Sequence, residues 1–294
     1  MAESHASIMN AAHGLEVLAI VVSYNGGMKT IEAVNSLLAQ VRHVHIVDNG
    51  SLPDSADRLR QLPASPSLSM TFLQQNLGIA AALNVGVEVA RESGFQWILT
   101  VDQDSMIGPG MIAAYAAVLS EKPDAVFLVP NVFVKGVEQA ATEGPVEFAI
   151  TSGSLVRTTL FAEVGPFAEP LFIDGVDIDF CLRVRRLGHT ILRVRGARIY
   201  HELGEPIDGS GWLAHVYARH SPLRRYYMYR NHLYLIKTFW RDFPGFILKA
   251  TLYQVLLLVL VAFYDREPRR SLEFIVKGVR DFFGDRMGAY REVA

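Results

Sequence analysis

Residues 97–110, WILTVDQDSMIGPG, set an apolar run directly against two acids. Trp97 to Val101 read as a short buried strand, and the Gly and Pro residues beyond as a loop leading into a helix. Asp102 and Asp104 then stand at a strand's carboxyl end. In an open α/β sheet that edge is where ligands bind, so this stretch fixes both the fold and the place to look for chemistry.

Upstream, apolar runs alternate with helical patterns: VLAIVVSY (17–24), MKTIEAVNSLL (28–38), HVHIVDNGS (43–51), MTFLQQ (70–75) and GIAAALNVGVEVARES (78–93). This βαβα rhythm predicts a mostly parallel, doubly wound sheet, and continuous apolarity is what strands covered on both faces require. Downstream the rhythm loosens. PDAVFLVPNVFV (123–134), VEFAITSGSLV (146–156) and TILRVRGARIY (190–200) read as strands of a mixed portion, with one strong helix, VDIDFCLRVRRLG (176–188), between the last two. From SPLRRYYMYRN (221–231) onward the pattern is helical. The expectation is an α/β domain over residues 1–222 and a helical extension over 223–294, with the boundary between Trp212 and Pro222.

Half of the 294 residues are hydrophobic and the net charge is -2, which gives no general pull toward nucleic acid. The single cysteine, Cys181, fits a reducing compartment and a role in helix packing. The first residues, MAESHASIMNAAHGLE, lack the basic end and apolar core of a signal peptide, so a cytoplasmic location is expected. In KATLYQVLLLVLVAFYDREPRR (249–270) the apolar run from Val255 to Tyr264 is about half of what a spanning helix needs. Followed by Arg266, Arg269 and Arg270, it suits docking on an anionic membrane surface, or packing on the protein's own core or a second copy.

Three strand ends carry polar residues: Ser23, Tyr24 and Asn25; Asp48 and Asn49; and Asp102, Gln103 and Asp104. Aligned parallel strands bring them to one rim, where a nucleotide lies. The glycine fingerprint of dinucleotide oxidoreductases is missing after the first strand. Two hard oxygen ligands at a crevice suit Mg²⁺ or Mn²⁺ with a diphosphate; an Asp cap or Asx-turn is the competing reading. Asp174, Asp177 and Asp179 open the helix in LFIDGVDIDFCLRVRRLGH (171–189). Asp174 and Asp177 have capping-pair spacing, Arg183 or Arg185 is placed to neutralise an acid, and one carboxylate remains as a general base for a hydroxyl. His201 follows a strand, where a structural role competes with that of a ligand. In LRRYYMYRNHLYLIKTFWR (223–241), Arg224, Arg225, Arg230, Lys237 and Arg241 interleave with aromatics; such a helix is usually a packed surface, with phosphates, lipid headgroups and, last, single strands of nucleic acid as alternatives.

Taken in order, VVSYNGG, IVDNGS, NLGIAAALNVG, TVDQDS, TSGSLVR, FIDGVDIDFCLRVRRLGH, YHELGE and SPLRRYYMYRN resemble the inverting family 2 glycosyltransferases, and within them the bacterial rhamnosyltransferases. The resemblance implies the GT-A fold. It implies that Asp48 recognises the base with Ser23, Tyr24 and Asn25 nearby, that Asn76, Gly78 and Asn84 pack a loop and helix against the nucleotide, and that Asp102 with Gln103 meets the ribose. Asp104 and His201 match positions that hold Mg²⁺ or Mn²⁺, and Gly153, Ser154 and Trp212 fall in the region where donor sugar and acceptor meet. Asp177 matches the base of a glutamate-aspartate pair whose first member is Val176 here; Asp174 is the substitute.

The implied reaction moves L-rhamnose from dTDP-rhamnose, or a hexose from a UDP carrier, to a saccharide or lipid-linked hydroxyl, with the helical extension against the inner face of the membrane or forming a homodimer. Two rivals are a non-catalytic nucleotide-binding scaffold, favoured by the missing acid at Val176, and a nucleotidyltransferase, for which SYNGGMK offers only a faint phosphate loop.

Overall fold

The computed structural model describes residues 15–134, 137–138, 143–201 and 220–292, with only the backbone of His201. The chain divides into two compact units. One comprises Met1–Phe167 with Phe180–Glu202, the other Ala168–Asp179 with Leu203–Ala294.

In the first unit, strands β1 (Val17–Ser23), β2 (His43–Asp48), β3 (Leu68–Phe72) and β4 (Trp97–Asp102) run parallel in the spatial order β3-β2-β1-β4. Helices α1 (Met28–Leu38), α2 (Pro53–Arg60) and α3 (Ile79–Glu92) make the crossovers. Every residue of β1 is buried, as a central parallel strand covered on both faces demands. The core joins Val17, Ala19 and Val21 to Val44, Ile46, Leu99 and Val101. Each such side chain contributes roughly 1.5–3 kcal/mol by leaving water.

Beyond β4 come β5 (Ser105–Ile107), α4 (Met111–Glu121), β6 (Phe127–Val134), β7 (Val137–Glu138), β8 (Gly144–Val146), β9 (Ser154–Arg157), α5 (Leu160–Val164), α6 (Val176–Arg186) and β10 (Ile191–His201). The sheet continues β4-β9-β6-β10-β5, with β9 antiparallel to β4 and β6, and β5 antiparallel to β10. The strand expected over 146–156 is two strands: residues 147–153 leave the sheet and return at Ser154, because Gly153 takes a φ of +82° in a turn. Cys181 is buried on α6, its Sγ 3.6 Å from the Ala149 carbonyl.

The second unit contains α7 (Pro222–Phe239), α8 (Pro244–Tyr264) and α9 (Pro268–Phe283), each opening on a proline, whose missing N–H costs nothing in a first turn. Ser221 caps α7, its Oγ accepting from the Arg224 amide at 3.3 Å. α9 lies close on α7 because Gly278 has no side chain; a Cβ there would stand 2.5 Å from the Tyr226 carbonyl oxygen.

One expectation changes here. The apolar helix α8 is 21 residues long, not the ten of the Val255–Tyr264 run, because Pro244 starts it and Phe246, Ile247 and Leu248 extend it; it is long and apolar enough to cross a membrane. The basic helix α7 is packed, with Arg225 and Arg230 fully buried.

Candidate active site

Register aligns the three polar strand ends. Ser23 pairs with Asp48 across β1 and β2, and Val22 pairs with Asp102 across β1 and β4. The carboxyl edge of the parallel sheet therefore collects the residues that the sequence nominates.

Most of those residues hold the rim together. The Gln103 amide brackets the backbone of Tyr24, with Oε1 accepting from the Tyr24 N–H at 2.9 Å and Nε2 donating to its carbonyl at 3.2 Å; Ser23 Oγ donates to the same Oε1 at 3.2 Å. Asn25 links the loops after β1 and β2: its N–H donates to Ser51 Oγ at 2.8 Å and its Oδ1 accepts from the Leu52 N–H at 2.9 Å. The buried Asp48 accepts from the Ser51 hydroxyl at 2.5 Å and the Ser51 N–H at 3.1 Å, an Asx-turn. Asn49 donates to Asn76 Oδ1 at 3.1 Å and accepts from the Leu77 N–H at 2.9 Å, while Asn76 also accepts from the Gly78 N–H at 2.9 Å. Ser51, which bonds both Asn25 and Asp48, is a rim residue that the sequence reading does not name; the DNGS turn is the available signal.

Asn84 is bonded within the domain: its Oδ1 accepts from the Phe167 N–H at 2.8 Å and its Nδ2 donates to the Phe167 carbonyl at 3.0 Å, so its amide fastens α3 to the chain after α5.

The Asp102 N–H donates to Ser152 Oγ at 3.0 Å, and Gly153 donates to the Thr100 carbonyl at 2.6 Å, where Ser154 starts β9 opposite Thr100. A Cβ at Gly153 would meet Pro130 at 2.6 Å, and the buried Tyr115 hydroxyl holds the Gly153 carbonyl at 2.7 Å. Burial pushes the Tyr115 hydroxyl well above its usual range, so it stays a donor.

Asp102, Gln103 and Asp104 are half-buried, and the Tyr24 ring is 45% exposed beside them in the loop after β1. The backbone of His201 pairs with Ser105, the residue after Asp104. Trp212 lies outside the described residues, as does the His201 side chain. Among the described residues no three His, Cys, Asp or Glu side chains gather into a metal cage. Two carboxylates at a sheet edge nevertheless fit Mg²⁺ or Mn²⁺, which complete their shells with diphosphate oxygens and water.

In the second unit, Asp174 adopts a φ of +60° and its carboxylate receives Arg224 at 3.0–3.2 Å. It is therefore not paired with Arg183 or Arg185, which reach instead the Val164 and Pro166 carbonyls and the Glu147 carbonyl in the first unit. Nor does it cap Asp177: the half-buried Asp177 accepts from the Ile178 N–H at 2.8 Å. Val176, in place of the pair's first acid, is 3% exposed.

The family model described as "Glycosyl transferase family 2" matches residues 18–165, from β1 through the DxD edge to α5. The chain belongs to glycosyl transferase family 2. Family 2 relatives include the dTDP-rhamnosyl transferase RfbF of Shigella flexneri, 29% identical over 242 residues, covering 75% of this chain and 80% of that protein. The galactofuranosyltransferase GlfT1 of Mycobacterium tuberculosis is 24% identical over 250 residues, covering 75% and 82%. Among solved structures, TarS 1-349 of S. aureus in complex with UDP-GlcNAc superposes with a TM-score of 0.55 at 18% identity, covering 91% of this chain and 72% of that one. GalNAc-T7 with UDP, GalNAc and Mn²⁺ gives a TM-score of 0.61 at 12% identity; the match covers 92% of this chain but 56% of the GalNAc-T7 chain. These likenesses establish the GT-A fold.

Proposed function

We propose that this family 2 member is a metal-dependent, inverting rhamnosyltransferase that moves L-rhamnose from dTDP-rhamnose to a hydroxyl of a saccharide or lipid-linked acceptor in cell-surface polysaccharide synthesis. The observation that carries the reading is the register that sets Ser23 against Asp48 and Val22 against Asp102 at one sheet edge. The RfbF relative supports the choice of donor, and the galactofuranosyltransferase relative makes a UDP-linked hexose the second choice.

In this reading the exposed Tyr24 ring stacks on the base and Asp48 reads its edge, while Asn25, Asn76 and Gln103 keep the rim rigid before the nucleotide arrives. Asp102 accepts from the ribose. Asp104, with His201, would hold the divalent cation, whose contribution is to neutralise charge on the leaving diphosphate. Asp177 takes the proton of the acceptor hydroxyl as that oxygen attacks the anomeric carbon from the face opposite the diphosphate, which inverts the centre. Ser152, Gly153 and Ser154, fixed against β4, border the sugar.

A membrane surface is the proposed place of work. Leu248, Leu252, Val255, Val259 and Phe263 fall at helical spacing along α8 and are exposed, while Ile247, Leu257, Leu260 and Val261 pack inward. Lys249 and Arg241 stand near one end of that stripe and Arg266, Arg269 and Arg270 near the other, all exposed. Anionic headgroups complement both ends; an antiparallel second copy would set one basic end against the other.

The test is donor hydrolysis measured with dTDP-rhamnose, UDP-galactofuranose and UDP-GlcNAc, with Mn²⁺, with Mg²⁺ and with EDTA. Preference for dTDP-rhamnose and loss of turnover in EDTA and in Asp104→Ala are expected. Turnover of a UDP-sugar alone moves the donor assignment, and nucleotide binding with no turnover of any donor favours the scaffold.

A further inference from the structure

The Tyr-Tyr-Met-Tyr-Arg-Asn stretch of α7, residues 226–231, has no task in the reaction above, yet it is densely bonded. Arg230 is fully buried. Its Nε donates to Asn231 Oδ1 at 3.0 Å, and its terminal nitrogens donate to the carbonyls of Leu171 at 3.0 Å, Pro170 at 3.3 Å and Gly288 at 2.6 Å. The rings of Tyr226 and Tyr227 cover the guanidinium at 5.2 and 4.9 Å. Asn231 Nδ2 shares its two protons among the carbonyls of Leu171, Ile173 and Asp174, at 2.9, 2.7 and 2.7 Å. Tyr227 stacks on Phe172 at 5.1 Å, Arg224 holds the Asp174 carboxylate, and the Tyr234 hydroxyl reaches Asp179 at 3.4 Å.

The contacts to Pro170, Leu171, Phe172, Ile173, Asp174 and Asp179 converge on residues 170–179, the segment that carries Asp177. That segment needs holding. Phe172, Asp174 and Gly175 have φ values of +67°, +60° and +84°, and the first two carry side chains that disfavour the left-handed region. Such a backbone persists only where its surroundings over-determine it. Carbonyls of the 3₁₀ turn Glu169–Leu171 and of Ile173 and Asp174 are here claimed by fixed side-chain donors, so the turn before α6 has one arrangement.

We propose that Arg230 and Asn231 are positioning residues for Asp177: they fix the strained turn that presents this carboxylate, which makes α7 part of the reaction. This inference rests on the assignment of Asp177 as the base. Neither residue touches donor or acceptor; each acts through the backbone of residues 170–175.

The test compares Asn231→Ala, Arg230→Lys, Arg224→Gln and Asp177→Asn with the wild type by hydrogen-deuterium exchange and by dTDP-rhamnose turnover with Mn²⁺. Asn231→Ala and Arg230→Lys are expected to exchange about tenfold faster over 168–179, with β1 to β4 unchanged, and to lose about 10- to 100-fold in kcat at unchanged donor KM. Arg224→Gln alters a side chain that is 47% exposed and keeps the test open where a buried variant does not fold; it should show the same pattern with a loss of about threefold to tenfold. Wild-type exchange and kcat in the folded variants would overturn the proposal, and so would losses shared between kcat, KM and exchange of the sheet, the mark of general destabilisation. If Asp177→Asn turns over at the wild-type rate, the base assignment itself fails; if Asp177→Asn is inactive while Asn231→Ala behaves as wild type, only the positioning role fails.

Discussion

At the sheet edge, Ser23, Asn25, Asn49, Asn76 and Gln103 join neighbouring loops through hydrogen bonds within a few residues of a strand end, and the half-buried Asp102 and Asp104 stand among them. In the second unit, Arg230 and Asn231 lie buried in mid-helix and bind carbonyls about 60 residues away in sequence. The first region is polar because a ligand is to be met there. The second is polar because a backbone that runs from a 3₁₀ turn through positive φ values into a helix must be held there. A substitution at the edge should therefore cost function before stability, and one in the clasp should cost both.

Asp177→Asn should show the largest effect on rate: about 10²- to 10⁴-fold in kcat with donor affinity and melting temperature unchanged, measured by steady-state turnover and calorimetry. In the clasp, Arg230→Ala takes the guanidinium's bonds from the Pro170, Leu171 and Gly288 carbonyls and opens a cavity, so chemical denaturation should register a loss of ~3 kcal/mol. Asn49→Ala at the rim, which loses its bonds to Asn76 and Leu77, should cost only ~1 kcal/mol by the same measurement. A smaller loss for Arg230→Ala than for Asn49→Ala would break the comparison.

Acid should act on both regions. Burial holds His45 in the first unit, and His220 and His232 in the second, down to about 4, with the guanidiniums of Arg224 and Arg225 adding to the effect at His220. The unfolded imidazoles titrate near 6.5, so the unfolded chain takes up protons that the folded one refuses between these values. Stability should be level above about pH 6.5 and fall as the pH drops toward 4; His232→Gln, which keeps a partner for Thr251, should flatten part of that slope in thermal melts. The smallest effect belongs to the exposed Arg91–Glu88 pair at 2.8 Å, where Arg91→Ala should change stability by less than about 0.5 kcal/mol. Sedimentation with anionic vesicles sharpens the reading of α8: Leu252→Asp with Val259→Asp should abolish binding that neutral vesicles never show.

The same contrast explains what could be read in advance. Parallel strands announce themselves by continuous apolar runs, and their polar ends sit beside them in sequence, so 17–23, 43–48 and 97–102 and their terminal residues were legible. That Ser152 holds the Asp102 N–H was not legible, since nothing local in TSGSLV points to a strand end 50 residues upstream. That α7 packs was legible in its aromatics, but not which of its arginines turn inward: only the long-range partners of Arg230, at 170, 171 and 288, reveal that it is buried. The pairing of Asp174 with Arg224, 50 residues on, was hidden for the same reason behind the nearer Arg183 and Arg185.

The most direct test of the central claim, that the carboxyl edge of the sheet binds a nucleotide-diphosphate sugar through Asp104, is calorimetric titration of dTDP-rhamnose into wild type and Asp104→Ala, each with Mn²⁺ and with EDTA. The account predicts binding by wild type that weakens at least tenfold in EDTA, and equally weak binding by Asp104→Ala with or without metal. Equal, metal-independent affinity for both proteins would contradict it.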